Sequence, residues 1–522
     1  IAALLAGAGV NVLLLDIVPF DLKDEEKNDA AARNRLVKAG MDAALASSPS
    51  LFFNKKDAAQ IAIGNLDDDI EKLAECDWII EVVVENLGIK RNLFEKIAKV
   101  KKAGAIVSTN TSGIPLKDIC EGFSKEFKEH FMGTHFFNPV RYMHLLELIP
   151  GADTLPEILD FVAGFGEKNL GKGIVWAKDT PNFVGNRIGI QGIGACMIFM
   201  IQDDMSIPEV DALFGPALGR PKTAIFKTTD LVGLDTMAHV AKNSFDLCKD
   251  DEQRDTMDLP DFINKMVEKK MLGNKTQGGF YKAELTPEWK KIRKVLNIKT
   301  LEYEDLVRPT FPCLDAAKKK STLAEKLACV LKGDDRGAKF AWRCVANAFQ
   351  YAANRVPEIA DTIVEIDNSM KWGYNFEMGP FEAWDAYGVT EAVERMKAEK
   401  LDVPANVEGM LSKGVQSFYK LENGIKYFYD FGAQEYKAVP VSKSMVSIAA
   451  AKGNNKTVLE NASASLVDIG DDVFCIEFHT KMNAINAEIV DSIGEALAYV
   501  DKNGAGLVIG NEAGGMPGAF SA

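Results

Sequence analysis

Short apolar runs alternate with helical stretches along the first 150 residues. IAALLAGAG has the rhythm of a helix and is stopped at Gly9. VNVLLLD (10–16) follows as an apolar strand closed by Asp16, and residues 24–47 read as one long helix. WIIEVVV (78–84) is apolar and β-rich, the pattern of a parallel strand buried on both faces, with Glu85 at its end. GAIVSTNTSG (104–113) reads as a strand and loop, and HFFNPVRYMHLLELI as a turn and a further strand. Strands separated by helical stretches predict a doubly wound α/β domain.

The pattern changes after KDTPNFVGNRI (178–188), where Pro181 and Asn182 suit a helix start and helical segments then dominate to about residue 430. This half contains an internal repeat. FKTTDLVG (226–233) and FEAWDAYG (381–388) share F-x-x-x-D-x-x-G, and each follows a helical E-[VI]-D ending at Asp211 or Asp367. Two related helical domains packed together are expected. A polar linker over 442–457 leads to VFCIEFHT, a helical AEIVDSIGEALAYVDKN and AGLVIG, the β-α-β start of another domain. The expected boundaries are 1–178, 179–306, 307–436 and 452–522. The chain opens on Ile1 in mid-helix and closes at Ala522 without a completing element, so it reads as a fragment cut at both ends.

Composition narrows the partners. A net charge of −14 argues against nucleic acid or an anionic membrane surface, and no apolar run reaches the length of a membrane span. The eight cysteines are scattered, with no CxxC and no Cys/His cluster of metal spacing, so free thiols in a reducing, cytoplasmic setting are expected and no metal is.

The candidate chemistry lies at strand ends. The G-x-G-x-x-G dinucleotide loop is absent, but Asp16 stands where the ribose-binding acid of such a unit stands; it is either that acid or an exposed Asp ending a strand. Glu85 either faces a ligand at the sheet's carboxyl edge or is a solvated turn acid. Ser112 either donates to a substrate oxygen or caps the next turn. Side chains alternate along RYMHLLELI, so His144 shares a face with Leu146 and Leu148 while Glu147 points to the other. His135, in the turn GTHFFNP, can then be met by Glu147 on a returning strand. A histidine so held is oriented and made more basic, fit to take a proton from an alcohol. The plain alternative is a strand that happens to carry polar residues.

STNTSG, GTHFFNPVRYMHLLELI and KDTPNFVGNR, in this order, resemble the (S)-3-hydroxyacyl-coenzyme A dehydrogenases of fatty-acid β-oxidation, and GRPKTAIFKTTDLVGLD and GNKTQGGFY agree. The resemblance covers roughly residues 1–435. It implies a Rossmann-like NAD-binding domain lacking its first strand and Gly loop, followed by duplicated all-α dehydrogenase domains. It implies His135 as general base with Glu147, Ser112 and Asn186 on the substrate's 3-oxygen, and Asn138 nearby in support. Asp16 would bind the adenosine ribose, and Glu85 and Lys90 would lie along the NAD. Lys55 and Lys56 are candidates for the coenzyme A phosphates. An acyl-CoA substrate and a homodimer through the helical domains are implied too. Residues 452–522 resemble the start of an enoyl-CoA hydratase (crotonase) domain, with GGMPGAFSA like the segment opening its oxyanion hole. Its catalytic glutamates would come later, so hydratase activity is not expected of this chain. Rival readings are a dehydrogenase of another β-hydroxy acid and an inactive chain that only binds acyl-CoA.

Overall fold

The computed structural model describes residues 1–285, 289–441, 446–480 and 483–511. By its internal contacts the chain divides into two units, Ile1–Ser412 and Lys413–Ala522.

The first unit starts with α1 (Ala2–Gly7) and the parallel pair β1 (Val12–Asp16) and β2 (Ile61–Asn65). A separate sheet holds β3 (Trp78–Glu81), β4 (Ile106–Thr109), β5 (Phe131–Phe136), β6 (Leu145–Pro150) and β7 (Gly173–Trp176) in that order. β3, β4 and β5 run parallel, β6 returns antiparallel to β5, and β7 is parallel to β6. The α/β expectation holds, but among the described residues no strand joins the pair to the five-stranded sheet. α1 spans the two instead. Leu4, with Ile1, Leu5 and Ala8, enters the core of Met132, Phe136, Leu146 and Leu148, while Ala6, with Ala2 and Ala3, packs on Phe52 and Ile61. Its Ala/Leu composition therefore serves two cores at once.

Two early elements are shorter than expected. The helix over 24–47 is divided at Asn34 into a short helix (Ala30–Arg33) and α2 (Arg35–Ala46), and the Asn34 side-chain oxygen accepts from Asn65 Nδ2 at 2.9 Å. The strand expected over 78–84 stops at Glu81: the Val83 N–H turns back onto Glu81 Oε1 at 2.5 Å, and Val82 and Val84 are exposed. Glu85 therefore sits in the loop before α3 (Leu87–Val100), not at a strand end.

The helical half begins with α4 (Gly185–Gln202) and α5 (Ile207–Leu213). The sequence repeat is a repeat of structure. Asp211, on α5, accepts from the N–H groups of Ile225 (3.1 Å) and Phe226 (2.8 Å) at the start of α6 (Phe226–Val232). After α7 (Arg336–Asn354), Asp367 on α8 (Ile363–Tyr374) accepts from Phe381 (2.8 Å) and Glu382 (3.1 Å) in α9 (Pro380–Tyr387). The closing glycines, Gly233 and Gly388, take the same left-handed turn at φ 105° and 104°, which an L side chain rarely adopts. The copies are joined through α4: Arg187 donates to Tyr351 Oη at 2.7 Å and pairs with Asp251 (2.5 Å) and Glu358 (3.0 Å). The expected all-α character needs one correction, since β8 (Tyr281–Leu285), β9 (Lys291–Leu296) and β10 (Tyr303–Asp305) form an antiparallel sheet in the first copy. No helix among the described residues is long and apolar enough to cross a membrane.

In the second unit, β11 (Tyr419–Glu422), β12 (Ile425–Asp430) and β13 (Glu435–Ala438) form a meander. The second helical copy was expected to run to residue 436, with no strands foreseen there. These strands group instead with the C-terminal segment, because the β11–β12 turn packs on α10 (Ile448–Gly453) so closely that a Cβ on Gly424 would stand 2.5 Å from Ala450 Cα. The expected linker therefore contains a helix, capped by Ser447, and β14 (Thr457–Glu460) begins at its end; residues 442–445 lie outside the described residues. β15 (Ala464–Gly470), β16 (Val473–Phe478), α11 (Ala487–Asn503) and β17 (Gly506–Ile509) complete a four-stranded sheet in which β16 and β17 are parallel, the expected β-α-β. GGMPGAFSA lies outside the described residues.

Candidate active site

The β5–β6 register sets His135 directly opposite Glu147. Side chains opposite each other in an antiparallel pair lie on one face, and here Nδ1 of His135 meets Oε2 of Glu147 at 2.7 Å. His135 thus belongs to a strand, not to the turn expected for it. Its ring is packed edge-on by Phe137 and flanked by Phe183, and among the described residues its Nε2 has no hydrogen-bond partner. His144 takes no part: its Nδ1 meets the Gly171 carbonyl at 2.9 Å and its ring edges onto Trp372.

Glu147 is fully buried, so its charge needs compensation inside the protein. Oε1 accepts from the backbone N–H of Val184 (3.2 Å) and Gly185 (2.8 Å) and from Ser369 Oγ (3.3 Å). The first two are the opening of α4, whose positive N-terminal end faces the carboxylate. KDTPNFVGNR achieves this through two consecutive left-handed residues, Asn182 (φ 62°) and Phe183 (φ 50°), so α4 starts at Gly185, later than Pro181 and Asn182 suggested. The approach also requires glycine: a Cβ on Gly185 would meet Phe137 Cζ at 2.8 Å.

The loop after β4 lies beside the same segment. The Asn182 amide, oriented to satisfy its neighbours, donates to the Ser112 carbonyl at 2.8 Å, and Asp179 accepts from the N–H groups of Leu116 (2.7 Å) and Lys117 (3.1 Å). Ser112 is held by its backbone, its N–H donating to Glu85 Oε1 at 3.0 Å alongside Thr111 Oγ1 (2.5 Å) and the Gly113 N–H (3.0 Å). Its hydroxyl and the half-buried Asn186 amide, one residue past the Glu147 clamp, make no hydrogen bond among the described residues. Asp16, at the end of β1, is exposed, with one oxygen on the Ile17 N–H at 2.7 Å. Asn138 follows β5, exposed, and lines a cleft with Leu4, Leu51 and Arg141 rather than bonding to the His135–Glu147 pair. Lys55 and Lys56 are exposed at a helical turn remote in sequence from these groups.

Lys90 does not present a free cation. It is buried, its ammonium lying 2.9 Å from Glu81 and 3.3 Å from Glu85, and Thr109 Oγ1 donates to Glu81 at 2.6 Å. It positions Glu85, and Glu81 is the partner that sequence reasoning missed. An acid in the middle of an otherwise apolar WIIEVVV was the available signal. Lys90→Met leaves Glu81 buried and unpaired, and should cost about 3–5 kcal/mol. Urea unfolding checks this, with much of the loss recovered in Glu81→Gln/Lys90→Met; a single variant as stable as the parent would show the pair to be dispensable.

An acid at the end of parallel β1, a His–Glu pair across the antiparallel β5–β6 strands, and helical domains following them have the layout of a two-domain nicotinamide-dependent dehydrogenase. Comparison with known proteins narrows this. Residues 1–180 match the model "3-hydroxyacyl-CoA dehydrogenase, NAD binding domain" and residues 183–283 match "3-hydroxyacyl-CoA dehydrogenase, C-terminal domain". The chain is 44% identical over 304 residues to a "Probable 3-hydroxyacyl-CoA dehydrogenase" of Deinococcus radiodurans, covering 58% of this chain and 85% of that one. It is 44% identical over 518 residues to a protein of the same description from Bacillus subtilis, covering 98% of this chain and 65% of the relative's length. The crystal structure of 3-hydroxybutyryl-CoA dehydrogenase from Escherichia coli shares the fold, with a TM-score of 0.56 at 20% identity over 79% of this chain and 96% of that one. The chain belongs to the 3-hydroxyacyl-CoA dehydrogenase family.

Proposed function

We propose that the chain carries the dehydrogenase of a larger cytoplasmic protein, oxidising (S)-3-hydroxyacyl-CoA to 3-oxoacyl-CoA with NAD in fatty-acid β-oxidation. The observation that carries the reading is the buried His135–Glu147 pair clamped to the start of α4. His135 Nε2 takes the hydroxyl proton, and Glu147, kept ionised by the hydrogen bonds from the α4 N–H groups, offsets the charge the ring gains. The Ser112 hydroxyl and the Asn186 amide, both with unused donors, hold the 3-oxygen as it becomes a ketone; Asn138, exposed in the cleft beside β5, is assigned no contact with them. NAD, when bound, accepts the hydride from C3. The residues present fit it at two points: the exposed carboxylate of Asp16 for the ribose hydroxyls, and Glu85 on its Thr111–Gly113 loop along the cofactor. The chain contains no G-x-G-x-x-G, so no residue is assigned to the pyrophosphate.

The β-α-β of the second unit is compatible with the opening of a hydratase domain in the same larger protein. Within the chain the second helical copy already packs on α4, so a homodimer through the helical domains would use their other faces.

The test is NADH oxidation with acetoacetyl-CoA, compared with free acetoacetate. Turnover of the thioester alone supports the reading. Equal turnover of both favours a dehydrogenase of another β-hydroxy acid, and acyl-CoA binding without turnover favours a binding chain. NADH should be strongly preferred over NADPH, because the Asp16 carboxylate accepts from ribose hydroxyls and repels a 2′-phosphate. Asp16→Ser should raise KM for NADH and narrow the preference; an unchanged cofactor ratio in steady-state kinetics would remove Asp16 from the site.

A further inference from the structure

We infer that Ser369, on the second helical copy, is a positioning residue for the His135–Glu147 pair: it donates to Glu147 Oε1 and so tunes the proton affinity of His135. This rests on the dehydrogenase reading above.

Ser369 lies 222 positions from Glu147 in the chain, yet its hydroxyl is 3.3 Å from Oε1 and both residues are fully buried. The contact is part of a fitted face. A Cβ on Gly373 would stand 2.7 Å from Leu145 Cδ2 and 3.1 Å from Phe137 Cε1, and Tyr374 packs edge-on against Phe137. α8 is thus seated on the strand that carries Glu147.

The duplication supplies its own control. α5 (IPEVDAL) and α8 (IVEIDNS) align on Ile207/Ile363 and Asp211/Asp367, so Ser369 corresponds to Leu213. Leu213 is buried in its own copy's core. The two copies keep the same buried aspartate, and only the one above the pair carries a hydroxyl at this site.

The other titratable groups around the pair are already settled. Burial and the Glu147 charge push the Tyr374 phenol far up, so it stays neutral. Arg187, on α4, is held by Asp251 and Glu358, and Glu85, beyond the Ser112 loop, by Lys90. Without the Ser369 donor, more of the carboxylate's charge falls on Oε2, which faces His135. The protonated ring is then favoured, and the pair's apparent pKa rises.

The experiment titrates the imidazoles by NMR in the full chain; with five histidines, His135 is assigned through His135→Gln. Ser369→Ala should raise the His135 midpoint by roughly 0.5–1 pH unit, the size of one hydrogen bond to a carboxylate. Ser369→Thr, which keeps the hydroxyl, should restore it. The acid limb of kcat for 3-hydroxybutyryl-CoA oxidation should move by the same amount with KM unchanged. A His135 titration that superimposes on the parent's in Ser369→Ala overturns the inference. Because the NMR readout does not need turnover, a chain inactive on acyl-CoA overturns the functional reading alone. If Ser369→Ala does not fold, a Ser369→Thr midpoint displaced as far as that of Ser369→Cys, a poorer donor, counts against the inference; a midpoint displaced only in Ser369→Cys supports it.

Discussion

His135→Gln should lower kcat for 3-hydroxybutyryl-CoA oxidation by about two to four orders of magnitude, the usual loss when a general base is removed. KM should change little, because a general base acts on the transition state and adds little to ground-state binding. The introduced amide can still reach Glu147 across the β5–β6 register, so the strand pair should survive. Steady-state kinetics decides it: near-normal turnover would take the pair out of the mechanism. His144→Gln is the matched control. That ring caps the Gly171 carbonyl and leans on Trp372, so its replacement should leave kcat within a few-fold of the parent, whereas an exchange of the two results would reverse the face assignment along RYMHLLELI.

Glu147→Gln should be nearly as damaging, for a different reason. Two backbone N–H groups aim at Oε1 and require an acceptor there. The amide must turn its oxygen to Val184 and Gly185 and its NH2 to His135 Nδ1. That nitrogen then has to be the acceptor, which places the ring proton on Nε2, where the base needs a lone pair. A kcat loss of about 10³–10⁴-fold with little change in melting temperature is expected. Glu147→Ala should instead lower the melting temperature as well, since it strands the buried donors at the start of α4. If Glu147→Gln turned over within tenfold of the parent, the tautomer argument would fail.

Much of this site was legible in the chain. The alternation along RYMHLLELI separated His144 from Glu147, and the cross-strand contact follows from that pleat. The E-[VI]-D and F-x-x-x-D-x-x-G repeat marked two copies of one capped-helix device, because an aspartate and a glycine are needed at fixed offsets to end one helix and start the next. Other readings went astray where a local pattern was outweighed by a distant partner. Apolar WIIEVVV looked like seven residues of strand, but Glu81 turns the chain to bury Lys90. Pro181 and Asn182 looked like a helix start, but the chain first takes two left-handed residues to aim α4 at Glu147.

The sequence by itself determined the α/β and helical halves, the duplication, and which histidine, which partner acid and which strand-end carboxylate are the candidates for the chemistry. These rest on periodicity and on motifs within about twenty residues, where the chain's own stereochemistry sets which side chains share a face. Only the tertiary structure decided that α1 serves two cores, that Lys90 is a buried support for Glu85, and that Ser369 reaches Glu147 from the second copy. Burial is the physical reason: a charge withdrawn from water takes whichever donors the packed helices bring to it, and no spacing along the chain specifies which those are.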